Sequence, residues 1–355
     1  MNHANLDVEL LARVCKTPGA PGYEQRIRED IVEIVTPYVD EVIVDAMGSV
    51  HAIKKASSEG AKKVMVAAHM DEISFIVTHI DDEGFVRFHP LGGFDPKTLT
   101  AQRVIIHGKE DVIGVMGTKP IHIMKPEERK KMPEISDFYI DTGMKKEEVE
   151  KVIDLGNPIT RERDLCIMGP CVNAKSLDNR VSVFILIEAL RELKDQSLDV
   201  DIYAVFTVQE EVGLRGAMTA ASGVNPDFGI NLDVTLACDY PNALPHERIT
   251  SLGEGTAIKV LDGATICDYR MVNMMKALAS DNNIKFQMEI LPAGGTDTAG
   301  LQRYSKGGSI AGGISIPTRY LHQVIEMAHM DDIRATIDLL KLSLGQLGTY
   351  DWTFK

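Results

Sequence analysis

Buried-strand and amphipathic-helix patterns alternate along most of this chain, and that alternation constrains the fold more than any other feature. In the second half, the apolar run "DIYAVFTV" follows the helical pattern "VSVFILIEALREL", and "FGINLDV" follows the helical "LRGAMTAAS". Near the start, "KKVMVAAH" forms a nearly continuous apolar stretch after two amphipathic segments. Strands that alternate with helices form parallel sheets with helices packed on both faces. The sequence therefore predicts an α/β fold with a mostly parallel sheet covered by helices on both faces.

The stretch from residue 73 to residue 168 breaks this alternation. It contains short strand-like runs such as "ISFIVTHI" and "QRVIIHG", separated at close intervals by Gly, Asp and Pro. Closely spaced short strands are typical of a small barrel or sandwich. We therefore predict a main domain formed by residues 1–72 and 169–355, with residues 73–168 inserted into it as a small β-barrel domain.

Length and composition limit the class of protein. The 355 residues are too many for one ordinary core. No apolar run approaches the ~18–20 residues of a membrane span, and the first residues lack the basic and apolar regions of a signal peptide. The five cysteines are scattered without a C-x-x-C pair, which indicates reduced thiols and a cytoplasmic location. The net charge of −14 argues against nucleic acid, whose phosphates require clustered Lys and Arg. We expect neither a membrane nor a nucleic-acid partner.

Residues that can bind metals follow the predicted strands. In open α/β sheets the functional groups collect at the carboxyl ends of the strands. The residues found there are His69 and Asp71 after "VMVAA", Glu210 and Glu211 after "IYAVFTV", Asp233 after "GINL", His322 in the "TRYLHQ" that follows "GGISIP", and Asp178 in "AKSLDNR" just before a helix. We therefore expect these side chains to lie in one cleft.

Each candidate also has an ordinary structural role open to it. Asp178 could cap the following helix, Asp233 could be a turn residue, and Glu211 could stand at a helix start that favours an acid. Their joint occurrence argues for chemistry, because two divalent ions about 3.5–4 Å apart need a bridging carboxylate with His and carboxylate ligands on each side. One further carboxylate must accept a proton from the attacking water. Neighbouring side chains on a strand point to opposite faces, so we predict that one of Glu210 and Glu211 holds a metal and the other is the general base.

With these residues in place, the chain resembles the M42 family of dinuclear-metal aminopeptidases, which includes the glutamyl aminopeptidases and the tetrahedral TET aminopeptidases. The resemblance covers essentially the whole chain. Its motifs are "AAHMDEISFIV", "KSLDNR", "VQEEVGLRGA", "NLDV", "GGTDTAG" and "SIPTRYLH". It implies a catalytic metallopeptidase domain of residues 1–72 and 169–355 and a dimerisation domain of residues 73–168. Gln323 follows the last motif where many members carry Ser, so the preferred N-terminal residue of the substrate stays open.

The resemblance also implies individual roles in a site with two divalent ions per subunit. The implied ligands are His69, Asp178 and Asp233 for the first ion, and Asp178, Glu211 and His322 for the second. Glu210 is implied as the general base, and Asp71 as the residue that orients His69. The mixed nitrogen and oxygen ligands suit zinc or cobalt, with manganese as a further candidate.

The implied activity is hydrolysis of N-terminal residues from peptide substrates, by a metal-bridged water and a Glu general base. The implied assembly is a homodimer that forms a homododecamer. A second dinuclear amidohydrolase class, such as an N-acyl amino acid deacylase, would use the same ligands. A glycan hydrolase is a further alternative because some family members have endoglucanase labels, but a glycosidase needs only paired carboxylic acids. A non-catalytic assembly protein is the last alternative, and the intact ligand set argues against it.

Overall fold

The computed structural model describes residues 5–354 and places them in one large sheet, flanked by helices, and a separate barrel. The helices of the described chain are α1 (Val8–Lys16), α2 (Gln25–Val35), α3 (Lys146–Val152), α4 (Leu177–Leu193), α5 (Arg215–Val224), α6 (Tyr269–Asp281), α7 (Thr298–Tyr304) and α8 (Met330–Gln346). The strands are β1 (Glu41–Val44), β2 (Val50–Lys54), β3 (Lys62–His69), β4 (Ser74–Ile80), β5 (Val86–Leu91), β6 (Arg103–His107), β7 (Asp111–Gly117), β8 (Tyr139–Asp141), β9 (Pro158–Arg161), β10 (Cys166–Met168), β11 (Cys171–Ala174), β12 (Val200–Thr207), β13 (Phe228–Leu236), β14 (Thr256–Leu261), β15 (Phe286–Ile290), β16 (Ile310–Arg319) and β17 (Glu326–His329).

The large sheet has eleven strands, with a parallel centre and mainly antiparallel flanks. Its main order is β1-β2-β12-β3-β13-β16-β17-β11-β10, and β14 and β15 branch from β16. The four central strands β12, β3, β13 and β16 are parallel to one another. Strands β2, β14 and β17 join this centre in antiparallel pairs. The predicted parallel arrangement therefore applies to the centre of the sheet, where helices connect the strands, because parallel neighbours need a crossover and a short turn can join only antiparallel ones.

Helices cover both faces of this sheet, as predicted. Along β3, Val64 and Val66 join an apolar cluster that includes residues of α1, α4 and α8. Met65 and Ala67 point the other way and join a second cluster with residues of α5 and α7. Because successive strand residues alternate between faces, a strand covered on both sides must be apolar throughout. This explains the nearly continuous apolar run that ends in His69.

Six strands form a closed barrel between β3 and β10, in the order β4-β5-β8-β7-β6-β9. All their pairings are antiparallel, and the interior contains Phe75, Val104, Ile140 and Ile159. The barrel lies within the predicted insert. Its neighbour β10 also falls inside the predicted limits, yet it pairs with β11 in the large sheet. The assignment of residues 73–168 as a dimerisation domain stays a prediction.

The lengths of the helices bear on the predicted absence of a membrane partner. The longest, α4 and α8, have 17 residues each. A helix that spans a bilayer needs about 20 mostly apolar residues. Within residues 5–354, no helix has both the length and the apolar character to cross a membrane. The cytoplasmic location inferred from the cysteine pattern stays a prediction.

Candidate metal centre

The carboxyl ends of the central parallel strands bring predicted ligands to one edge of the sheet. His69 is the last residue of β3 and lies in register with the last residue of β12. Glu210 and Glu211 follow β12 in the next loop. Asp233 lies beyond the point where β13 stops pairing with β3, and β13 continues to Leu236, so Asp233 is a strand residue and not a turn residue. The topology therefore gathers these side chains as the sequence predicts.

Asp71 holds the loop that contains the two glutamates. Its Oδ1 accepts the backbone N–H of Glu210 at 3.0 Å, and its Oδ2 accepts that of Glu211 at 3.1 Å. The glutamate side chains then diverge. Glu210 Oε2 lies 3.8 Å from His69 Nε2, and Glu211 Oε2 lies 3.7 Å from His322 Nε2. Because both glutamates lie in a loop, strand alternation does not separate them; the anchored backbone turn separates them instead.

His69 is oriented from its other ring nitrogen. Its Nδ1 lies 3.2 Å from the backbone oxygen of Asp71 and 3.4 Å from Asp71 Oδ1. The ring is almost fully buried, with 1% of the residue exposed. A donor contact at Nδ1 leaves Nε2 free to face the cleft.

Asp178 lies between two imidazoles. Its Oδ1 is 3.2 Å from His69 Nε2, and its Oδ2 is 3.4 Å from His322 Nε2. The backbone of Asp178 is extended, with φ −76° and ψ 104°, and its N–H donates to Glu326 Oε2 at 2.7 Å. Both carboxylate oxygens thus face the imidazoles rather than the first turn of α4, so helix capping does not explain this residue.

The remaining contacts divide the cluster into two parts. Asp233 Oδ1 lies 3.8 Å from His69 Nε2. Within residues 5–354, two groups have ligand atoms that lie within 4.8 Å of one another: His69, Glu210 and Asp233, and His69, Asp178 and Glu211. His322 comes from the loop between β16 and β17 and approaches the second group from outside, through its contacts with Asp178 and Glu211. The structure thus brings together Glu210 and all five residues that the resemblance implies as metal ligands.

Burial and mutual repulsion perturb the acids of this cluster. Burial raises the pKa of Glu210 well above its ordinary value, and nearby Asp233 adds to the effect. Burial, together with the charge of Asp178, raises the pKa of Glu211 to about 8 and that of Asp233 to about 7. Asp178 is the exception, because hydrogen bonds from the two imidazoles outweigh burial and lower its pKa. Carboxyl groups so close together cannot all ionise without additional positive charge.

The imidazoles respond in the opposite direction. The hydrogen bond to Asp178 and the charge of Glu211 raise the pKa of His322 to about 9, although burial opposes the change. Burial also opposes protonation of His69, but the carboxylates of Glu210, Asp178 and Asp71 raise its pKa well above the ordinary value. Both rings therefore attract cations, either protons or metal ions in their place.

This arrangement of side chains fits divalent cations. Buried carboxylates outnumber the cationic groups, and Glu211 Oε1 is buried without a hydrogen-bond partner. An unpartnered buried carboxylate oxygen is costly unless a cation or donor satisfies it. Imidazole nitrogen and carboxylate oxygen are the ligand atoms that zinc and similar ions accept.

One buried acid at the site was left without a role by the sequence reasoning. Asp297 belongs to the "GGTDTAG" motif and is fully buried at the start of α7. Its Oδ2 accepts a hydrogen bond from Thr207 Oγ1 at 2.5 Å, while Oδ1 has no partner. Burial raises its pKa to about 6, and Asp71 contributes. The available signal was its place between a strand and a helix, the same signal that identified Asp178.

A cavity of about 490 Å³ opens onto the cluster. Besides the predicted ligands and Glu210, the apolar residues Leu236, Leu291 and Leu321 line the cavity. The charged residues Lys259 and Asp262 also line it. Lys259 Nζ lies 2.5 Å from Glu289 Oε1 and 3.6 Å from Asp262 Oδ2, so these acids compensate its charge. A cavity of this size lies within the range of pockets that bind small organic molecules.

Known proteins resemble this chain in sequence and in fold. The family model of M42 glutamyl aminopeptidase matches residues 48–339. A curated protein of Acetivibrio thermocellus with a provisional aminopeptidase name is 41% identical, over 94% of this chain and 96% of its own length. The crystal structure of a TET aminopeptidase from the marine sediment archaeon Thaumarchaeota archaeon SCGC AB-539-E09 matches with a TM-score of 0.93 and 34% identity, covering 96% of each chain. The Pyrococcus horikoshii TET1 peptidase, which can assemble into a tetrahedron or a large octahedral shell, matches with a TM-score of 0.86 and 30% identity, covering 96% of this chain and 99% of its own.

The match extends over both the sheet and the barrel, and it includes every strand end that contributes to the cluster. The chain therefore belongs to the M42 peptidase family, and it is a metal-dependent aminopeptidase.

Proposed function

We propose that this aminopeptidase uses two divalent metal ions with Asp178 as their bridge. The observation that carries the proposal is that the two oxygens of Asp178 face different imidazoles, at 3.2 Å for His69 and 3.4 Å for His322. A carboxylate with this placement can join two ions about 3.5–4 Å apart. Zinc or cobalt is the proposed metal, with manganese as a further candidate, because the ligands mix nitrogen and oxygen.

The remaining ligands complete the two sites in this proposal. His69 and Asp233 would hold the first ion together with Asp178. Glu211 and His322 would hold the second, and the unpartnered buried oxygen of Glu211 supports its role as a ligand. Glu210 also groups with His69 and Asp233 and could reach an ion held there, so its proposed role as base rests on its surroundings.

Glu210 is the proposed general base. It lines the cavity, and burial keeps its pKa above that of an ordinary carboxyl group. A carboxylate with a raised pKa takes up and returns a proton more readily near neutral pH. Glu210 would accept a proton from the attacking water and return it to the leaving amine.

When bound, the ions would polarise the scissile carbonyl and lower the pKa of the attacking water. Asp71 keeps the proton acceptor and the ligand apart, because it anchors the backbone of Glu210 and of Glu211 separately. The substrate's N-terminal side chain would enter the cavity beside Leu291 and Leu321. Peptides with a free N-terminus are the proposed substrates.

The alternative activities receive less support. A deacylase could use the same metal ligands, but the family match favours removal of N-terminal residues. A glycan hydrolase would not require two imidazoles clustered with a shared carboxylate. Aromatic residues amount to 6% of the chain, with one Trp, which offers little surface for sugar stacking. An intact and mostly buried ligand cluster also disfavours a purely structural protein.

We propose further that the chain forms homodimers that assemble into a dodecamer. The tetrahedron that the Pyrococcus horikoshii relative can form supports this proposal. The barrel also exposes large apolar side chains at Ile113, Val115, Ile121, Ile123 and Met132. Exposed apolar side chains of this size are typical of surfaces that another chain covers. A closed assembly would admit unfolded peptides and exclude folded proteins.

The proposed function is tested with chelated protein that is restored with zinc, cobalt or manganese in turn. The substrates are aminoacyl chromogenic compounds, acylated amino acids and carboxymethyl cellulose. Metal-dependent cleavage of only the aminoacyl compounds is expected, while preferential cleavage of either of the other two classes would contradict the assignment.

The same preparation tests the roles of the two glutamates. Glu210→Gln should keep its metal ions and lose about 10²–10⁴-fold in kcat, the usual share of general-base catalysis. Glu211→Gln should bind less metal. Loss of metal from Glu210→Gln, with full metal content in Glu211→Gln, would mean that the two roles are reversed.

A further inference from the structure

We infer that the barrel, which contains none of the predicted ligands, builds part of the second ion's site, and that Arg161 is the positioning residue that ties His322 to the barrel. The inference rests on the proposed two-ion function. Three observations carry it. Arg161 donates to the backbone beside His322, Val324 packs into the barrel, and Gly92 and Gly93 lie against Glu211 and His322.

The loop that contains His322 needs support from outside itself. It spans residues 320–325 between β16 and β17. Tyr320 and His322 both have positive φ, at 65° and 56°. Residues other than glycine adopt this conformation rarely, and they keep it where surrounding contacts hold them. The His322 side chain is also 49% exposed, so burial alone does not fix its position.

Arg161 provides the first of these contacts. It is the last residue of β9 in the barrel, and its side chain is 2% exposed. Its Nη1 donates to the backbone oxygen of Gln323 at 2.6 Å, on the residue directly after His322. Val324, the next residue, packs against the apolar interior of the barrel. The barrel thus contacts Gln323 and Val324, the two residues that directly follow His322.

The guanidinium of Arg161 is itself held in place. Its Nη2 lies 3.5 Å from Glu72 Oε2, and Glu72 is fully buried against Lys175 as well. Its other face lies over the ring of Phe94, 5.7 Å from the centroid. A carboxylate and an aromatic ring together restrict the orientation of a buried guanidinium. Arg161 can therefore transmit the position of the barrel to the loop.

The same guanidinium lies close to the support of the bridging residue. Arg161 Nη1 is 3.8 Å from Glu326 Oε1. The other oxygen of Glu326 accepts the backbone N–H of Asp178. Arg161 thus lies between the loop that contains His322 and the carboxylate that holds Asp178.

A second segment of the barrel domain lies next to both ligands that are proposed for the second ion alone. Gly92 and Gly93 follow β5. A Cβ on Gly93 would lie 3.2 Å from His322 Nδ1, and one on Gly92 would lie 3.4 Å from the Cβ of Glu211. Gly92 also has φ +95°, which favours glycine. The backbone at Gly92 and Gly93 therefore forms a wall against Glu211 and His322. It can approach them closely because the two glycines have no side chains.

The test measures the affinity of each ion separately. Metal-free Arg161→Met protein is titrated with Co²⁺ in competition with a chromogenic chelator, and the visible absorption of bound Co²⁺ is followed. We expect the second ion to bind about 10–100-fold more weakly, the usual effect of losing a residue that orients a ligand, and the first ion to bind as in the wild type. Arg161→Lys keeps the charge but not the planar fork of donors. Its affinity for the second ion should lie between those of the wild type and Arg161→Met.

The matched control is Arg103→Met. Arg103 belongs to the barrel strand β6 and pairs with Glu162 at the surface. It should bind both ions with wild-type affinity. A loss of the second ion in this control equal to that in Arg161→Met would overturn the inference, because the effect would then belong to any arginine removed from the barrel.

Gly93→Ala keeps the inference testable if Arg161→Met does not fold, which far-UV circular dichroism would reveal. The added methyl group should displace His322 and weaken the second ion, whereas Gly223→Ala in α5 meets no neighbour and should not. A wild-type protein that binds two ions, with variants at both positions that also bind two at unchanged affinity, would overturn the inference. Equal weakening of both ions would overturn it as well. A wild-type protein that binds a single ion would instead refute the proposed two-ion function.

Discussion

Replacement of Asp178 by Asn tests the bridge without changing the shape of the side chain. In the structure, each carboxylate oxygen of Asp178 faces one imidazole, at 3.2 Å and 3.4 Å. An amide removes the negative charge and exchanges one oxygen for a donor that cannot bind a metal. We therefore expect Asp178→Asn to bind at most one ion, where the wild type binds two, and to lose nearly all peptidase activity.

The same replacement should also lower the pKa of His322 in the metal-free protein. At 3.4 Å and an effective dielectric constant of about 20, a carboxylate and an imidazolium attract each other by about 5 kcal/mol. Because His322 is half exposed, solvent screens much of this attraction and leaves about 1.5–3 kcal/mol. That free energy corresponds to a shift of about 1–2 pKa units. The pKa of His322 is about 9 in the wild type, so it should fall to about 7–8 in Asp178→Asn. Glu211 still raises it there.

The sign of the effect on stability follows from this raised pKa. The folded state of the metal-free wild type binds the His322 proton more tightly than the unfolded chain does. The stabilising contribution is fully present below pH 6.5 and is lost as the pH rises through about 9. In Asp178→Asn the contribution should be smaller, and its loss should still begin near pH 6.5 but end at lower pH.

The assay is a proton NMR titration of the His322 ring in metal-free protein, combined with metal analysis of the loaded protein. Glu211→Gln is the comparison, because Glu211 raises the pKa of His322 through its charge alone, whereas Asp178 also accepts a hydrogen bond from the ring. The reasoning would be refuted if Asp178→Asn left the pKa of His322 unchanged, or if the variant still held two ions and full activity. In the second case Asp178 would be a structural residue at the start of α4.

Further predictions concern the anchoring role of Asp71, the release of protons on metal binding and the oligomeric state. Asp71→Ala should leave the N–H groups of Glu210 and Glu211 without acceptors and lower kcat by about 10–100-fold, as measured on cobalt-loaded protein; an unchanged kcat would refute the anchoring role. Because the pKa of His322 is about 9, metal loading at pH 7 should release protons and the affinity should rise with pH up to about 9; calorimetry in two buffers would detect this, and an absence of proton release would contradict it. In light scattering, the intact protein should run far above its monomer mass of 39.1 kDa, and a monomer at micromolar concentration would contradict the proposed assembly.

The location of the site could be predicted because it depends on sheet topology. The carboxyl ends of neighbouring parallel strands meet at one edge, so His69 and Asp233 come together whatever the details of the loops. The apolar runs before them were long enough to identify β3 and β13 from sequence. Strands β10, β11 and β17 gave no such signal, because they are only three or four residues long and lie at the antiparallel flank.

Loop geometry could not be predicted in the same way. The sequence suggested that strand alternation separates Glu210 from Glu211, whereas the structure separates them through two hydrogen bonds to Asp71. The partners in those bonds are 139 and 140 residues apart in the chain. No local pattern encodes such a contact, although Asp71 itself was found through its closeness to His69.

The contact between the barrel and the second site was hidden for a related reason. All candidate ligands lie outside residues 73–168, so the sequence assigned the barrel no part in binding the metals, although it placed the barrel beside the cleft. Arg161 and Gln323 are separated by 162 residues, and the bond uses a backbone oxygen, which leaves no signature in the sequence of the acceptor. Only the packing of barrel on sheet reveals it.

The central claim is that two ions share Asp178 and that Glu210 stays free of both. Anomalous diffraction at the cobalt edge, from crystals of the cobalt-loaded protein, tests it most directly. The account predicts two peaks about 3.5–4 Å apart on either side of the Asp178 carboxylate, one bound by His69 and Asp233 and the other by Glu211 and His322. A single peak, or two peaks with Glu210 as a ligand and Glu211 unbound, would contradict it.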